Sequence, residues 1–240
     1  MARVEHEPGF VLHRRRYRET SLLLEVKTRD NGRGGLMAKG ARRAKSRTLG
    51  TLEPFQPLLL SWAGRGELGT LTSAELARPA VPLSGERLIS GLYLNELLYR
   101  LCGRHDPYPE LFGAYELALA ALRSAPEYEG ELRVFEKRLL EALGYGLLLT
   151  RAADTDAPVS QGLHYQYHPE SGAVATVPGS SSRAGYPEVR GDTLLALARE
   201  ELTSDSQRRE AKILMRATLQ RYLGERPVAS REMFRRHPGR

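Results

Sequence analysis

Five cationic side chains, Lys39, Arg42, Arg43, Lys45 and Arg47, fall within one short segment, and no acidic residue occurs from Asn31 to Leu52. The chemistry open to such a segment is electrostatic. Lys and Arg set this closely on a loop neutralise the phosphates of a polyanion. The same pattern also fits a solvated basic loop with no partner. Arg14, Arg15, Arg16 and Arg18 form a second cluster just upstream, although strand alternation would send some of them to the opposite face. The charge is localised. Residues 1–80 hold 15 Lys+Arg against 8 Asp+Glu, while residues 81–240 hold 21 of each, so the net charge of +7 sits in the N-terminal third.

Other chemistries find little support. Gly64-Arg65-Gly66-Glu67-Leu68-Gly69 has the spacing of a dinucleotide fingerprint, but Thr70-Leu71-Thr72 follows where a helix should open, which favours a hairpin turn. No GxxxxGK followed by Ser or Thr occurs. His164 and His168 could share a metal only on a helix, and Pro169 with the flanking tyrosines favours a hairpin there. The single cysteine, Cys102, excludes an intramolecular disulfide and a multi-cysteine metal site. No triad, zinc-protease motif or phosphate loop is present, and no carboxylate cluster accompanies the basic segment as a nuclease would need. The pattern is that of a binding protein without cofactor. A charged N-terminus without an apolar core, and no run near 18 apolar residues, lead to the expectation of a cytoplasmic protein.

The elements that must position the cations follow from periodicity. Apolar stretches at Gly9–His13, Ser21–Val26, Leu36–Ala38, Pro57–Ala63 and Leu68–Glu75, punctuated by Asp30-Asn31-Gly32 and the glycine-rich turn at Gly64, predict five short strands. A small barrel of the OB type suits them. From Ser84 the period becomes helical, with helices expected through Cys102, over Pro109–Ser124 and over Glu129–Leu143. Residues 151–190 are loop-rich, with one hairpin expected, Leu163–Tyr167 against Ala173–Val177. Two further helices are expected, capped by Asp192 and by Asp205, before a short basic amphipathic end from Ser230 to Arg236. The expected fold is α+β and multidomain: an OB-fold β-barrel over 1–79, an α-helical domain over 80–150 and 191–240, and a small zinc-free β/loop insertion over 151–190.

With these segments placed, the sequence resembles the RecO family of bacterial DNA repair and recombination mediator proteins. The resemblance is carried by Gly9-Phe10-Val11-Leu12, Tyr17 with Glu19-Thr20-Ser21, Ala38-Lys39-Gly40-Ala41-Arg42-Arg43, and Pro54-Phe55 with Pro57-Leu58. It continues through Gly64-Arg65-Gly66-Glu67-Leu68, Gly91-Leu92-Tyr93 with Asn95-Glu96-Leu97-Leu98, Phe135-Glu136 and Leu143-Gly144-Tyr145-Gly146. It implies binding of single- and double-stranded DNA, annealing of complementary strands, and work alongside SSB, RecR, RecA and RecF at the nucleoid. Many members carry a four-cysteine zinc site in the region of residues 151–190; this chain has no cysteine there, so zinc is not carried over.

Phosphate contacts would then come from Lys39, Arg42, Arg43, Lys45 and Arg47, extended by Arg14 and Arg16. Tyr17 or Trp62 is a candidate for base stacking, and each also fits a place in the barrel core. The resemblance further implies a contact with the acidic C-terminal tail of SSB. Arg133 and Lys137, at i and i+4 on the third helix beside Leu132, Leu139 and Leu140, are candidates to hold it, and the same face also fits a solvated one with Glu136 and Glu141 as partners. The competing class is an RNA-binding OB protein of the translation apparatus.

Overall fold

The computed structural model describes residues 3–43, 46, 48–64, 66–79, 81–179 and 186–236. The chain folds as two compact units, Met1–Ser124 with Pro227–Arg240, and Ala125–Arg226.

In the first unit, β1 (Arg3–Tyr17), β2 (Ser21–Thr28), β3 (Arg33–Ala38), β4 (Leu58–Ala63) and β5 (Leu68–Leu76) close a barrel in the order β1-β2-β3-β5-β4. The β3–β5 pairing is parallel and the others antiparallel. One long strand closes the cylinder: β1 pairs with β4 through its first half and with β2 through its second, and Gly9 belongs to both pairings. A side chain there would meet Leu60 Cδ1 at 2.9 Å and Thr28 Cγ2 at 3.1 Å, which is why the strand changes partners at a glycine. Alternation then fills the interior with Val11, Leu22, Leu24, Val26, Leu36, Leu58 and Leu60. The glycine-rich turn predicted at Gly64 lies where expected, between β4 and β5.

Two helices, α2 (Gly85–Leu101) and α3 (Pro109–Ser124), cover β1. Phe10 packs edge-on against Tyr115, with centroids 5.1 Å apart, and against Phe112 at 5.5 Å. The register of β1 shifts between Val11 and His13, and Asn95 Nδ2 donates to the Leu12 carbonyl there at 2.9 Å. Tyr115 completes the buried chain by donating to Asn95 Oδ1 at 2.5 Å.

The basic C-terminal segment forms a helix, α7 (Ala229–Arg236), and Glu96 of α2 caps it. The Glu96 carboxylate accepts from Ala229 N, Ser230 N and Ser230 Oγ at 2.8–2.9 Å. Burial alone would raise the pKa of Glu96; the hydrogen bonds from Ser230, Ala229 and Arg100 outweigh it, so the net shift is downward from 4.5. A lowered folded pKa means the docking contributes fully above the unfolded value and is lost as pH falls through the folded one. The amide resonances of Ala229 and Ser230 are therefore expected to hold their docked shifts down to about pH 4.5 and to move below it. Glu96→Ala is expected to remove hydrogen-exchange protection from α7 at neutral pH. Protection that survives the substitution would show that other contacts hold the helix.

The second unit contains α4 (Glu129–Ala142), a three-stranded antiparallel sheet ordered β7-β6-β8, and the helices α5 (Gly191–Arg199) and α6 (Asp205–Leu223). The expected hairpin is present one residue displaced, as β6 (His164–His168) against β7 (Gly172–Thr176). A third strand, β8 (Glu188–Arg190), pairs on the other side of β6. Two expected caps are corrected. Asp192 lies inside the first turn of α5 and pairs with Arg190 at 2.7 Å. The cap of α6 is Ser204, one residue before Asp205, in a reciprocal capping box with Gln207.

No helix among the described residues is long and apolar enough to cross a membrane. His164 and His168 sit on one strand, four residues and about 13 Å apart, too far to share a metal. His164 instead contacts Glu188 at 2.9 Å and His168 stacks on Tyr186. The purified protein is expected to contain no stoichiometric zinc and to keep its melting temperature in chelator. One zinc per chain by elemental analysis would overturn that.

Candidate nucleic-acid interface

The candidate surface lies at the end of the barrel where β1 and β2 turn and β3 gives way to the basic loop. Directly opposed residues in antiparallel strands share a face. Arg16 lies opposite Leu22, which lies opposite Ala38, and Arg14 lies opposite Leu24 and, across it, Leu36. Arg14 and Arg16 therefore stand on one side of the strands, and Arg15, level with Leu23 and Met37, on the other. Two strand spacings, roughly 10 Å, separate the backbone of Arg16 from that of Ala38. Lys39 is the next residue.

The loop is tied down where it leaves the sheet. Arg42 N donates to the Thr20 carbonyl at 2.8 Å and Arg42 Nη1 to the Glu19 carbonyl at 3.0 Å, joining the loop to the β1–β2 turn. Gly40 takes the left-handed conformation (φ 69°) that turns the chain, and Arg43 N closes onto its carbonyl. Ala41 and Leu52 are buried in the barrel core and anchor the segment on either side, while Lys39 and Arg43 are exposed. A four-residue helix, α1 (Thr48–Thr51), stands between the loop and Leu52.

The predicted cations fall into distinct positions. Lys39, Arg43 and Arg16 are exposed. Arg42 is half-buried and held by the carbonyl contacts just described. Arg14 is half-buried and pairs with Glu53 at 2.6 Å, so its charge is partly spent within the protein. Lys45 and Arg47 lie outside the described residues. The two candidate stacking aromatics do not reach this surface freely. Tyr17 is half-buried with the Arg18 guanidinium 5.3 Å over its ring, and Trp62 packs on the barrel core against Gly69.

On α4 the open, solvated face allowed by the sequence is corrected. Arg133 and Lys137 are only 5% and 8% exposed. Arg133 pairs with Glu136 at 2.9 Å, and Lys137 with Glu141 and Glu200 at 3.0 Å each. Arg138, more exposed, also holds Glu200. That hydrogen bond, with burial opposing it and Lys137 assisting, keeps the Glu200 carboxyl below its ordinary range. Glu200 was not legible as a partner because it lies 63 residues from Lys137.

A closed five-stranded barrel of OB type with a cationic end, followed by helices, defines a class of nucleic-acid-binding architecture. The family models of recombination protein O match almost the whole chain, the N-terminal one over residues 1–80 and the C-terminal one over residues 82–232. The chain belongs to the RecO family. Among its relatives are the DNA repair proteins RecO of Nitrosococcus oceani, Methylococcus capsulatus and Alkalilimnicola ehrlichii, 48%, 46% and 50% identical to it. The alignments cover 97–98% of this chain and 92–94% of the relatives.

Proposed function

We propose that this protein is a non-catalytic mediator of DNA repair and homologous recombination, binding single- and double-stranded DNA through residues 1–79. The observation that carries the reading is the convergence of Arg16, Lys39, Arg42 and Arg43 on one barrel end, supported by the names its relatives bear. Contacts to phosphate set position without reading bases, which suits action on any sequence. Annealing needs no bond chemistry: a surface that neutralises two strands lowers their repulsion, and base pairing drives the rest. In the RecF pathway the protein would help RecA load on SSB-coated DNA, with RecR as a further partner. The acidic SSB tail would dock at α4 by exchanging a carboxylate with Glu200, since Lys137 and Arg138 already hold one there.

The test is annealing of complementary strands, with and without SSB, in the absence of ATP and metal. Acceleration in both settings is expected. No acceleration, or tighter binding to structured RNA than to single-stranded DNA, would turn the assignment to the translation apparatus.

A further inference from the structure

A mostly apolar groove lies beside the cationic end. It encloses about 490 Å³, within the range of pockets that bury a small planar ligand. The segment after α1 supplies Pro54, Phe55 and Gln56, the linker supplies Val81, and α2 supplies Leu88 and Leu92. Arg14 and its partner Glu53 also line it, which makes the groove continuous with the row that carries Arg16.

We infer that this groove receives an unstacked base of a single DNA strand whose phosphates lie on the cationic end. The inference rests on the DNA-binding reading of that end. Val81 and Leu88 are 52% and 38% exposed, leaving apolar surface uncovered beside the Arg14–Glu53 pair, which joins the groove to the exposed Arg16. A ligand with an anionic backbone and a flat apolar appendage matches both. Gln56 lines the groove, and its Oε1, buried and without a hydrogen-bond partner among the described residues, becomes an acceptor for a bound N–H when the side-chain amide turns toward the groove. Each of the four bases carries such a donor on its pairing edge, so the site would not select sequence.

The groove is also held open. Phe55 adopts φ 69°, a conformation that costs a bulky residue energy and persists only where neighbours enforce it. Its ring is seated against Gly91, where a Cβ would come within 2.9 Å, and its carbonyl accepts from Arg123 Nη2. Arg123 Nε donates at 3.2 Å to the Val81 carbonyl as well, so one guanidinium ties the linker to the segment after α1. Stacked, paired bases in a duplex cannot enter, so the groove would add affinity for single strands alone.

The test uses the full chain and an oligothymidine carrying one 2-aminopurine. Val81→Trp fills the groove from an exposed position, and Gln56→Leu removes the acceptor. Val81→Trp is expected to weaken single-strand binding about tenfold, to leave duplex affinity and its salt slope unchanged, and to abolish the change in 2-aminopurine emission. Gln56→Leu should act in the same direction with smaller size. Unchanged single-strand binding and emission in both variants, or equal loss for single and double strands, would overturn the inference. Unfolded Val81→Trp, detected by its melting curve, would leave Gln56→Leu to decide on the same criteria. Should Lys39→Ala/Arg42→Ala/Arg43→Ala keep wild-type duplex binding while Val81→Trp still abolishes the emission change, the phosphate surface would be misassigned and the groove would stand. Absence of any DNA binding by the wild type would remove both.

Discussion

Lys39→Ala/Arg42→Ala/Arg43→Ala is expected to weaken binding to every DNA sequence alike and to flatten the dependence of log K on log salt. Each lost phosphate contact removes about 0.7 from the slope for single strands and about 0.9 for duplex, so three contacts remove about 2 to 3. The fold should survive. Ala41 and Leu52 hold the segment in the core, and the substituted side chains lie on either side of Ala41, with Lys39 and Arg43 exposed. Arg42 is the exception, because its guanidinium also holds the Glu19 carbonyl, and Arg42→Ala alone should loosen the loop against the β1–β2 turn. Arg14 behaves differently. Removing it would leave Glu53 as an anion without its Arg14 partner, whereas Glu53→Gln removes that negative charge while keeping Arg14 and is expected to tighten binding. An unchanged salt slope in the triple variant would place the phosphates elsewhere on the barrel.

That surface was partly legible in the sequence, and the reasons differ by residue. The cluster from Lys39 to Arg43 announces itself by charge alone. The face occupied by Arg14 and Arg16 does not, because it depends on a register shift between Val11 and His13 that alternation cannot foresee. The first strand, expected as Gly9–His13, is Arg3–Tyr17, and register shifts between Val4 and Glu7 and between Val11 and His13 break its alternation towards both ends. Pro8 sits within the strand opposite Leu59, its carbonyl taken by Arg29 N. Strands with clean alternation, such as Ser21–Thr28 with Leu22, Leu24 and Val26 inward, were found nearly residue for residue. So were the helices Pro109–Ser124 and Glu129–Ala142, whose apolar stripes repeat over three to four turns.

What stayed hidden is whatever depends on residues far apart in the chain. The parallel pairing of β3 with β5 closes the barrel without leaving a local trace. Glu96 reads as an ordinary polar position on a helix, and its role appears only when α7, more than 130 residues later, sets its N-terminus on the carboxylate. Three residues, Glu188 to Arg190, are too few to show a period, so β8 went unseen. Ser204 and Asp205 are both capping types, and only the reciprocal bond from Gln207 distinguishes them.

That short strand leads to the largest stability effect expected in the second unit. β8 runs straight into α5 at Gly191 with no intervening loop. A Cβ at residue 191 would lie 1.9 Å from the Ser160 carbonyl oxygen and 2.8 Å from its carbon, both backbone atoms, so no rotamer change relieves the clash. Nor can the Ser160 segment retreat easily. Ser160 N donates to the Tyr165 hydroxyl at 2.9 Å, and Gly191 N donates to the Leu163 carbonyl at 2.9 Å. Tyr165 is itself in β6, buried and paired with Val189 of β8. Gly191→Ala must therefore either break the pairing of His164 and Tyr165 with Arg190 and Val189 or displace residues 160–163, and the expected cost is about 3 kcal/mol or more. For a unit of this size that corresponds to a fall in Tm on the order of 10 °C. Gly162→Ala, three residues from Tyr165 with nothing within 4 Å of its would-be Cβ, is the matched control and should change stability by less than about 0.5 kcal/mol. Scanning calorimetry of the two variants separates a close backbone approach from a general intolerance of the segment. Equal melting temperatures for Gly191→Ala and the wild type would show that β8 and the Ser160 turn do not meet in solution.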